Sequence, residues 1–131
     1  MEPQPPEYLS LEDHYAACHP RGRFTFDQTV AMIDEAIAYC RDNGVRGLLV
    51  DVTGVTGFLP PSTAERFAFA SRWAATANGK VVVSIIAPPE MVDPDKIGVM
   101  VATNRGLRSD VFTAESEAIA WLLDACQKRV R

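Results

Sequence analysis

The chain has 131 residues, with thirteen Lys and Arg against seventeen Asp and Glu, and a formal net charge of -4. This length is typical of one domain, which buries roughly two thirds of the surface of its unfolded chain and needs neither a metal nor a disulfide to fold. A mildly acidic chain lacks the broad basic surface that binds phosphate backbones. Nucleic acid is therefore excluded as an expected partner.

The cysteines and the apolar runs indicate the cellular location of the protein. Cys18, Cys40 and Cys126 are an odd number outside any Cys-x-x-Cys pair, so we expect reduced thiols and a cytoplasmic location. The start, MEPQPPEY, lacks a secretory signal and predicts a disordered arm over residues 1–8. The longest apolar run, 81–87, is far shorter than the roughly 20 residues that span a bilayer. We expect a soluble protein with no membrane span.

The first predicted elements are two short strands and a helix. Short apolar residues over 15–18, followed by a Pro-Arg-Gly turn, predict a strand that pairs with 8–11. Thr25 and Gln28 form a capping-box pattern, after which apolar residues recur at helical spacing. The Asn-Gly pair at 43–44 ends this helix.

Two strands that are apolar on both faces follow, with a helix between them. Residues 47–53 and 81–87 have this pattern, which is typical of parallel strands covered on each side. Ser62 and Glu65 form a second capping box and predict a helix over 62–78. The centre of the protein is therefore predicted to be a strand-helix-strand unit.

The last third of the chain continues this alternation. Asp93, as an N-cap before a proline, predicts a helix over 94–104. Residues 110–112 predict a strand, Thr113 caps a last helix, and the charged end at 128–131 is predicted to fray. Alternating strands and helices imply one α/β domain, with a four- to five-stranded, mainly parallel sheet and about four helices.

Several of these segments resemble the STAS domain. A strand that ends at Asp51, a loop over 54–61 and a helix that opens at Ser62 are similar to the central motif of that family. The segment GRFT at 22–25 resembles the family's entry into its first helix. The later segments APPEMVDPDKIGVMVATNRG and VFTAESEAIAWL resemble the SpoIIAA-like branch, which is grouped with the SEC14 (CRAL-TRIO) proteins. The resemblance implies a single STAS-like domain over the whole chain.

The resemblance also implies a chemistry for the loop. In the anti-sigma-factor antagonists of this family, a serine within Asp-Ser-Ser-Gly is phosphorylated at the corresponding corner. Here Pro61 occupies the acceptor position and cannot be phosphorylated. Ser62 and Thr63 are left as candidate phosphoacceptors at a helix N-terminus, whose N–H groups favour a phosphate. The alternative is that Ser62 is only an N-cap, which stabilises the fold by about 1 kcal/mol.

Aromatic residues lie on both faces of the predicted helix at 62–78. Ala64, Phe67 and Ala68 share one face, while Phe69 and Trp73 point towards the other. A helix on an open sheet buries one face within its own chain. We therefore predict that Phe69 and Trp73 form a surface patch for a second subunit, giving a homodimer, or for a ligand. The alternative is that a neighbouring helix covers them.

Two loops supply further candidate contacts. Thr56 and Phe58 precede Ser62 in the glycine-containing loop, where we predict contact with a partner. Asn104 and Arg105 lie in an Arg-rich turn, a setting that can bind a carboxylate or a phosphate.

Catalytic and metal sites are weakly indicated. A hydrolase would need a base for Ser62, and the two histidines, His14 and His19, both lie near the amino end. A Ser62, His19 and Asp51 triad is one reading, but Asp51 is better explained as a structural carboxylate that accepts N–H bonds from the following turn. The acidic residues over 90–95 lack the spacing of a calcium loop. We expect no metal and no cofactor.

These observations are compatible with three alternative functions. The first is a non-enzymatic regulatory or binding domain that contacts a protein partner, an anion or a nucleotide at the loop 54–63. The second is a small SEC14-like carrier, which holds an apolar ligand or a lipid under the helices from 62–78 and 94–104. The third is a hydrolase that uses Ser62. A continuous apolar cavity would distinguish the second from the first.

Overall fold

The computed structural model describes residues 6–127. Within this range the chain forms seven strands, four α-helices and one short 3-10 turn. In chain order they are β1 (Leu9–Leu11), β2 (Ala16–Cys18), β3 (Gly22–Arg23), α1 (Phe26–Asp42), β4 (Gly47–Asp51), β5 (Val55–Thr56), α2 (Thr63–Ala77), β6 (Val82–Ile86), the 3-10 turn (Pro89–Met91), α3 (Ile97–Asn104), β7 (Ser109–Phe112) and α4 (Glu115–Gln127). None of the helices in this range is both long and apolar enough to cross a membrane.

Five of the strands form one sheet in the order β1-β2-β4-β6-β7. β1 runs antiparallel to β2, and the other neighbours are parallel. This arrangement confirms the predicted α/β class with a mainly parallel sheet, and it confirms that the two short strands at the amino end pair with each other. The more specific STAS assignment stays a prediction.

The helices are divided unequally between the two faces of the sheet. Along β6, Val83 packs into a core with residues of α1, α2 and α3, while Val82 and Ile86 pack against α4. We call the side covered by α1, α2 and α3 the three-helix face. Because side chains alternate along a strand, every apolar residue of β6 finds a helix to pack against.

Both predicted capping boxes are present. The Gln28 N–H donates to the Thr25 hydroxyl oxygen (3.1 Å), and the Thr25 N–H donates to the Gln28 side chain (2.9 Å). Ser62 and Glu65 repeat this exchange at the start of α2. These bonds satisfy N–H groups that have no partner within the helix, so the local sequence determines where both helices begin.

The predicted start of the third helix is wrong. The carboxylate of Asp93 accepts hydrogen bonds from the Asp95 N–H (3.1 Å) and the Ile97 N–H (2.9 Å), so it caps a turn before α3. Lys96 has a left-handed backbone with φ of 49°. A right-handed helix cannot include such a residue, and α3 therefore begins at Ile97.

The predicted arm at residues 1–8 is wrong for its last three residues. The Tyr8 hydroxyl donates to the Met32 carbonyl (3.0 Å), and the Leu9 N–H donates to the Pro6 carbonyl (2.9 Å). Tyr8 thus attaches this segment to α1. The rest of the predicted arm and the predicted frayed end at 128–131 lie outside the described residues.

Cys18 and Cys40 lie in the core of the three-helix face as free thiols. Burial raises the pKa of each thiol to about 12, because a thiolate is poorly solvated among apolar side chains. Cys126 is half-buried on the α4 side. The expected core location is confirmed for the first two cysteines.

A second sheet, which has two strands, was not predicted from the sequence. β3 pairs with β5 in parallel and joins the chain before α1 to the loop before α2. Gly57 follows this pair with φ of 118°, and a Cβ at this position would overlap the carbonyl oxygen of Phe24. The pair therefore depends on a glycine at position 57.

We predict that Gly57→Ala destabilises the protein more than Gly79→Ala. Both glycines have positive φ, but a Cβ at Gly79 meets nothing within 4 Å. Gly79→Ala should cost about 1 kcal/mol from backbone strain alone. Gly57→Ala adds the clash with Phe24 and should cost at least about 2 kcal/mol. Urea unfolding measures both values, and equal losses would contradict the close approach seen here.

Candidate functional site

An apolar cavity of about 130 Å³ lies between the three-helix face of the sheet and the helices α2 and α3. Its floor is formed by β6 and β7, where Val83, Ile85 and Val111 point towards the helices. Ile85 lies on a central strand under this helical layer, yet it is only half-buried. The helices therefore cover the sheet here without filling the space above it.

Small residues in the roof leave this space. Ala70 of α2 and Gly98 and Ala102 of α3 line the cavity at positions where larger side chains would occupy it. Trp73 holds the roof in place, because its indole N–H donates to the Val30 carbonyl of α1 (3.2 Å). The cavity thus lies between elements that are fastened to one another.

The prediction of an aromatic surface patch is wrong for Trp73, which is only 6% exposed. The alternative, a neighbouring helix as cover, is what the structure shows. A Cβ at Gly98 of α3 would lie 3.6 Å from the Phe69 ring, and Phe69 is half-buried. The opposite face of α2 is exposed instead, and Phe67 on that face is 49% exposed. The sequence showed two apolar faces but not which of them α3 would meet.

Phe69 and Trp73 are nevertheless next to a concave site. Both line the cavity, and their ring centroids are 4.5 Å apart. Phe26 contacts Phe69 and also Phe58, with centroid distances of 6.0 and 5.6 Å. Phe58 comes from the loop before α2 and lines the same cavity. Three of the predicted contact residues therefore meet in one place.

The remaining predicted contact residues lie elsewhere. Thr56, Asn104 and Arg105 are exposed and do not line the cavity. The Arg105 guanidinium lies 5.5 Å from the centroid of the Phe67 ring on the outer face of α2. The Arg-rich turn and the aromatic cluster are thus separate surfaces.

Three charged residues line the cavity, namely Arg66, Asp93 and Lys96. Hydrogen bonds from the Ile97 and Asp95 N–H groups, which outweigh partial burial, lower the pKa of Asp93. The Lys96 ammonium pairs with Asp110 at 2.6 Å. Arg66 donates from Nη2 to the Met91 carbonyl at 3.2 Å. No sequence motif distinguishes Arg66, because its place at the cavity depends on segments that are distant in the chain.

The Ser62 corner has the geometry of an N-cap. Ser62 and Thr63 are exposed, and the Ser62 hydroxyl oxygen accepts a hydrogen bond from the Glu65 N–H (3.1 Å). This confirms that Ser62 caps α2. Phosphorylation of Ser62 or Thr63 stays a prediction.

His19 and Asp51 lie in a second cleft with Glu12, Tyr15 and Glu115. The Asp51 carboxylate accepts hydrogen bonds from the Thr53 N–H (2.9 Å) and the Thr53 hydroxyl (2.6 Å), which confirms its structural role. Ser62 is not among the residues that line this cleft or the apolar cavity. Within residues 6–127, no group of three or more His, Cys, Asp or Glu side chains is placed to hold a metal ion.

Comparison with known proteins finds no matching family model and no matching curated protein. The assignment of function therefore depends on the geometry described above.

We predict that Ser62→Ala destabilises the protein by about 1 kcal/mol, because the Glu65 N–H loses its acceptor. Ser62→Gly should cost only a few tenths of a kcal/mol, since glycine is tolerated at an N-cap. Thr63→Ala is the matched control, as Thr63 is the first residue of α2 and is exposed. Thermal unfolding measures all three, and a Ser62→Ala variant as stable as the native protein would contradict the cap.

Proposed function

We propose that this protein is a non-enzymatic binding domain that takes up a small apolar molecule between α2, α3 and the sheet. The observation that carries this proposal is the cavity of about 130 Å³, whose lining is mostly apolar and aromatic. Small-molecule sites have this character, with many apolar walls and a few polar groups that orient the ligand.

The volume limits the size of the ligand. An engineered cavity of about 150 Å³ lined by Leu, Ile and Phe binds benzene. A cavity of about 130 Å³ therefore suits one aromatic ring or a short aliphatic chain. A whole phospholipid is too large, so the proposal narrows the predicted SEC14-like carrier to a protein that binds a small molecule.

The walls favour binding because they are held in position before a ligand enters. The Phe26 ring contacts both Phe58 and Phe69, and the Trp73 indole is hydrogen-bonded to α1. A ligand in this site buries apolar surface, at roughly 25 cal/mol per Å², without having to order these side chains first.

A second candidate function is protein contact at the loop 54–63, as the STAS resemblance predicts. One observation favours it: Leu59, in this loop, is 83% exposed. Leu59 follows Phe58, which lines the cavity. The loop therefore presents one apolar side chain to the ligand site and the next to solvent, an arrangement suited to a regulatory domain.

We predict that toluene binds saturably to the native protein and that Ala102→Leu weakens this binding at least about tenfold. Ala102 is 2% exposed and lines the cavity, so a leucine occupies the space that the ring would use. Ala68→Leu is the matched control, because Ala68 is exposed on α2 and does not line the cavity.

The readout is the indole N–H signal of each tryptophan in a ¹H–¹⁵N correlation spectrum. Trp73 lines the cavity, whereas Trp121 packs against Phe112 on the other side of the sheet. Toluene should shift the Trp73 signal and leave that of Trp121 in place. If the Trp73 signal does not move, or if Ala102→Leu binds like the native protein, the proposed function is wrong. Ala70→Leu, which also fills the cavity, replaces Ala102→Leu if the latter does not fold.

For the second candidate, we predict that Leu59→Ser removes a binding protein that the native domain retains from an extract of its source cells. Leu11→Ser is the control, because Leu11 is also exposed (55%) but lies on β1 at the edge of the sheet. Affinity capture followed by mass spectrometry gives the comparison. A protein that both variants retain equally does not bind at Leu59, and that result would count against the loop.

A further inference from the structure

We infer that the ligand carries a carboxylate, which Arg66 binds at the edge of the cavity while the apolar body of the ligand lies inside. The ligand class is then a small aromatic or short-chain carboxylic acid. This inference rests on the proposed function and adds the chemical group that the site would recognise.

Arg66 lies at a position from which it could bind a ligand carboxylate. It belongs to α2, lines the cavity and is half-buried. A Cβ at Gly98 of α3 would lie 3.9 Å from the Arg66 Cβ. Gly98 thus packs against the base of the Arg66 side chain, which places Arg66 where α2 and α3 meet at the cavity.

The hydrogen bonds of Arg66 leave donors for a ligand. A guanidinium has five N–H donors in a planar fork that matches a carboxylate. One nitrogen, Nη2, donates to the Met91 carbonyl, which orients the group. None of the ion pairs found among residues 6–127 includes Arg66. A cation at the edge of an apolar cavity is thus oriented by the protein without a carboxylate in contact.

The other charged groups at the cavity are already engaged. The two Asp93 carboxylate oxygens each accept a backbone N–H, from Asp95 and Ile97. Lys96 pairs with Asp110. Asp93 partly balances the charge of Arg66, so the site attracts an anion through directed hydrogen bonds more than through net charge. The remaining donors of Arg66 favour a carboxylate over an amine.

The test compares phenylacetate with phenylacetamide, which has the same shape and no charge. At pH 7 the acid is ionised. In the native protein, phenylacetate should bind at least about tenfold more tightly, as expected for a charge-assisted hydrogen bond in a partly buried site. Calorimetry gives the affinities, and the Trp73 indole signal reports whether each compound enters the cavity.

The variant Arg66→Gln should remove this preference, because glutamine keeps a polar side chain but loses the charge and the fork, and it ends short of the position from which Nη2 donates to the Met91 carbonyl. Phenylacetamide should bind to Arg66→Gln as it does to the native protein. Arg105→Gln is the matched control, since Arg105 is exposed and lies outside the cavity. This control should still bind phenylacetate more tightly than phenylacetamide.

The outcomes separate the two proposals. If toluene and phenylacetamide shift the Trp73 signal but phenylacetate binds no more tightly than the amide, the inference about Arg66 is overturned and the proposed function stands. An unchanged preference in Arg66→Gln overturns it as well. If none of the three compounds shifts the signal, the proposed function fails, and the inference fails with it.

Discussion

The packing of α2 and α3 over the sheet is the constraint on which the rest of this structure depends. Ala70, Gly98 and Ala102 are too small to fill the space that they enclose with Ile85. A protein interior normally leaves few voids larger than a water molecule, because each lost contact reduces dispersion attraction. A cavity of about 130 Å³ in a domain of this size therefore has a stability cost that ligand binding would offset.

The roof keeps its position because it is tied to neighbours on each side. Trp73 donates to the Val30 carbonyl of α1, while Lys96 pairs with Asp110 of β7 at the start of α3. The first bond is buried and orients a large ring whose polar N–H would otherwise lack a partner. The second is half-exposed and contributes little to stability, but it holds the left-handed turn from which α3 begins. Both bonds fasten the roof to its neighbours, so its position does not depend on side chains that fill the cavity.

The sequence predicted those features whose causes are local. The capping boxes at Thr25 and Ser62 and the buried strands follow from patterns of a few residues, and the structure has all of them. The inward direction of Trp73 could not be predicted, because both faces of α2 carry aromatic residues and the elements that cover one of them, α1 and α3, are distant in the chain. The start of α3 was missed because a left-handed lysine has no sequence signature. Arg66 was missed for a similar reason, as its neighbours Met91 and Gly98 come from later segments.

The aromatic cluster connects the proposed ligand site to the exposed loop before α2. Phe26 contacts both Phe69 in the roof and Phe58 in the loop, and Leu59 follows Phe58 in solvent. A ligand changes the loop only if it binds one loop arrangement more tightly than another. A ring in the cavity would contact Phe58 directly, so the ligand would favour the arrangement seen here, in which Phe58 lines the cavity. The two candidate functions are thus compatible, because the ligand site and the loop surface share this side chain.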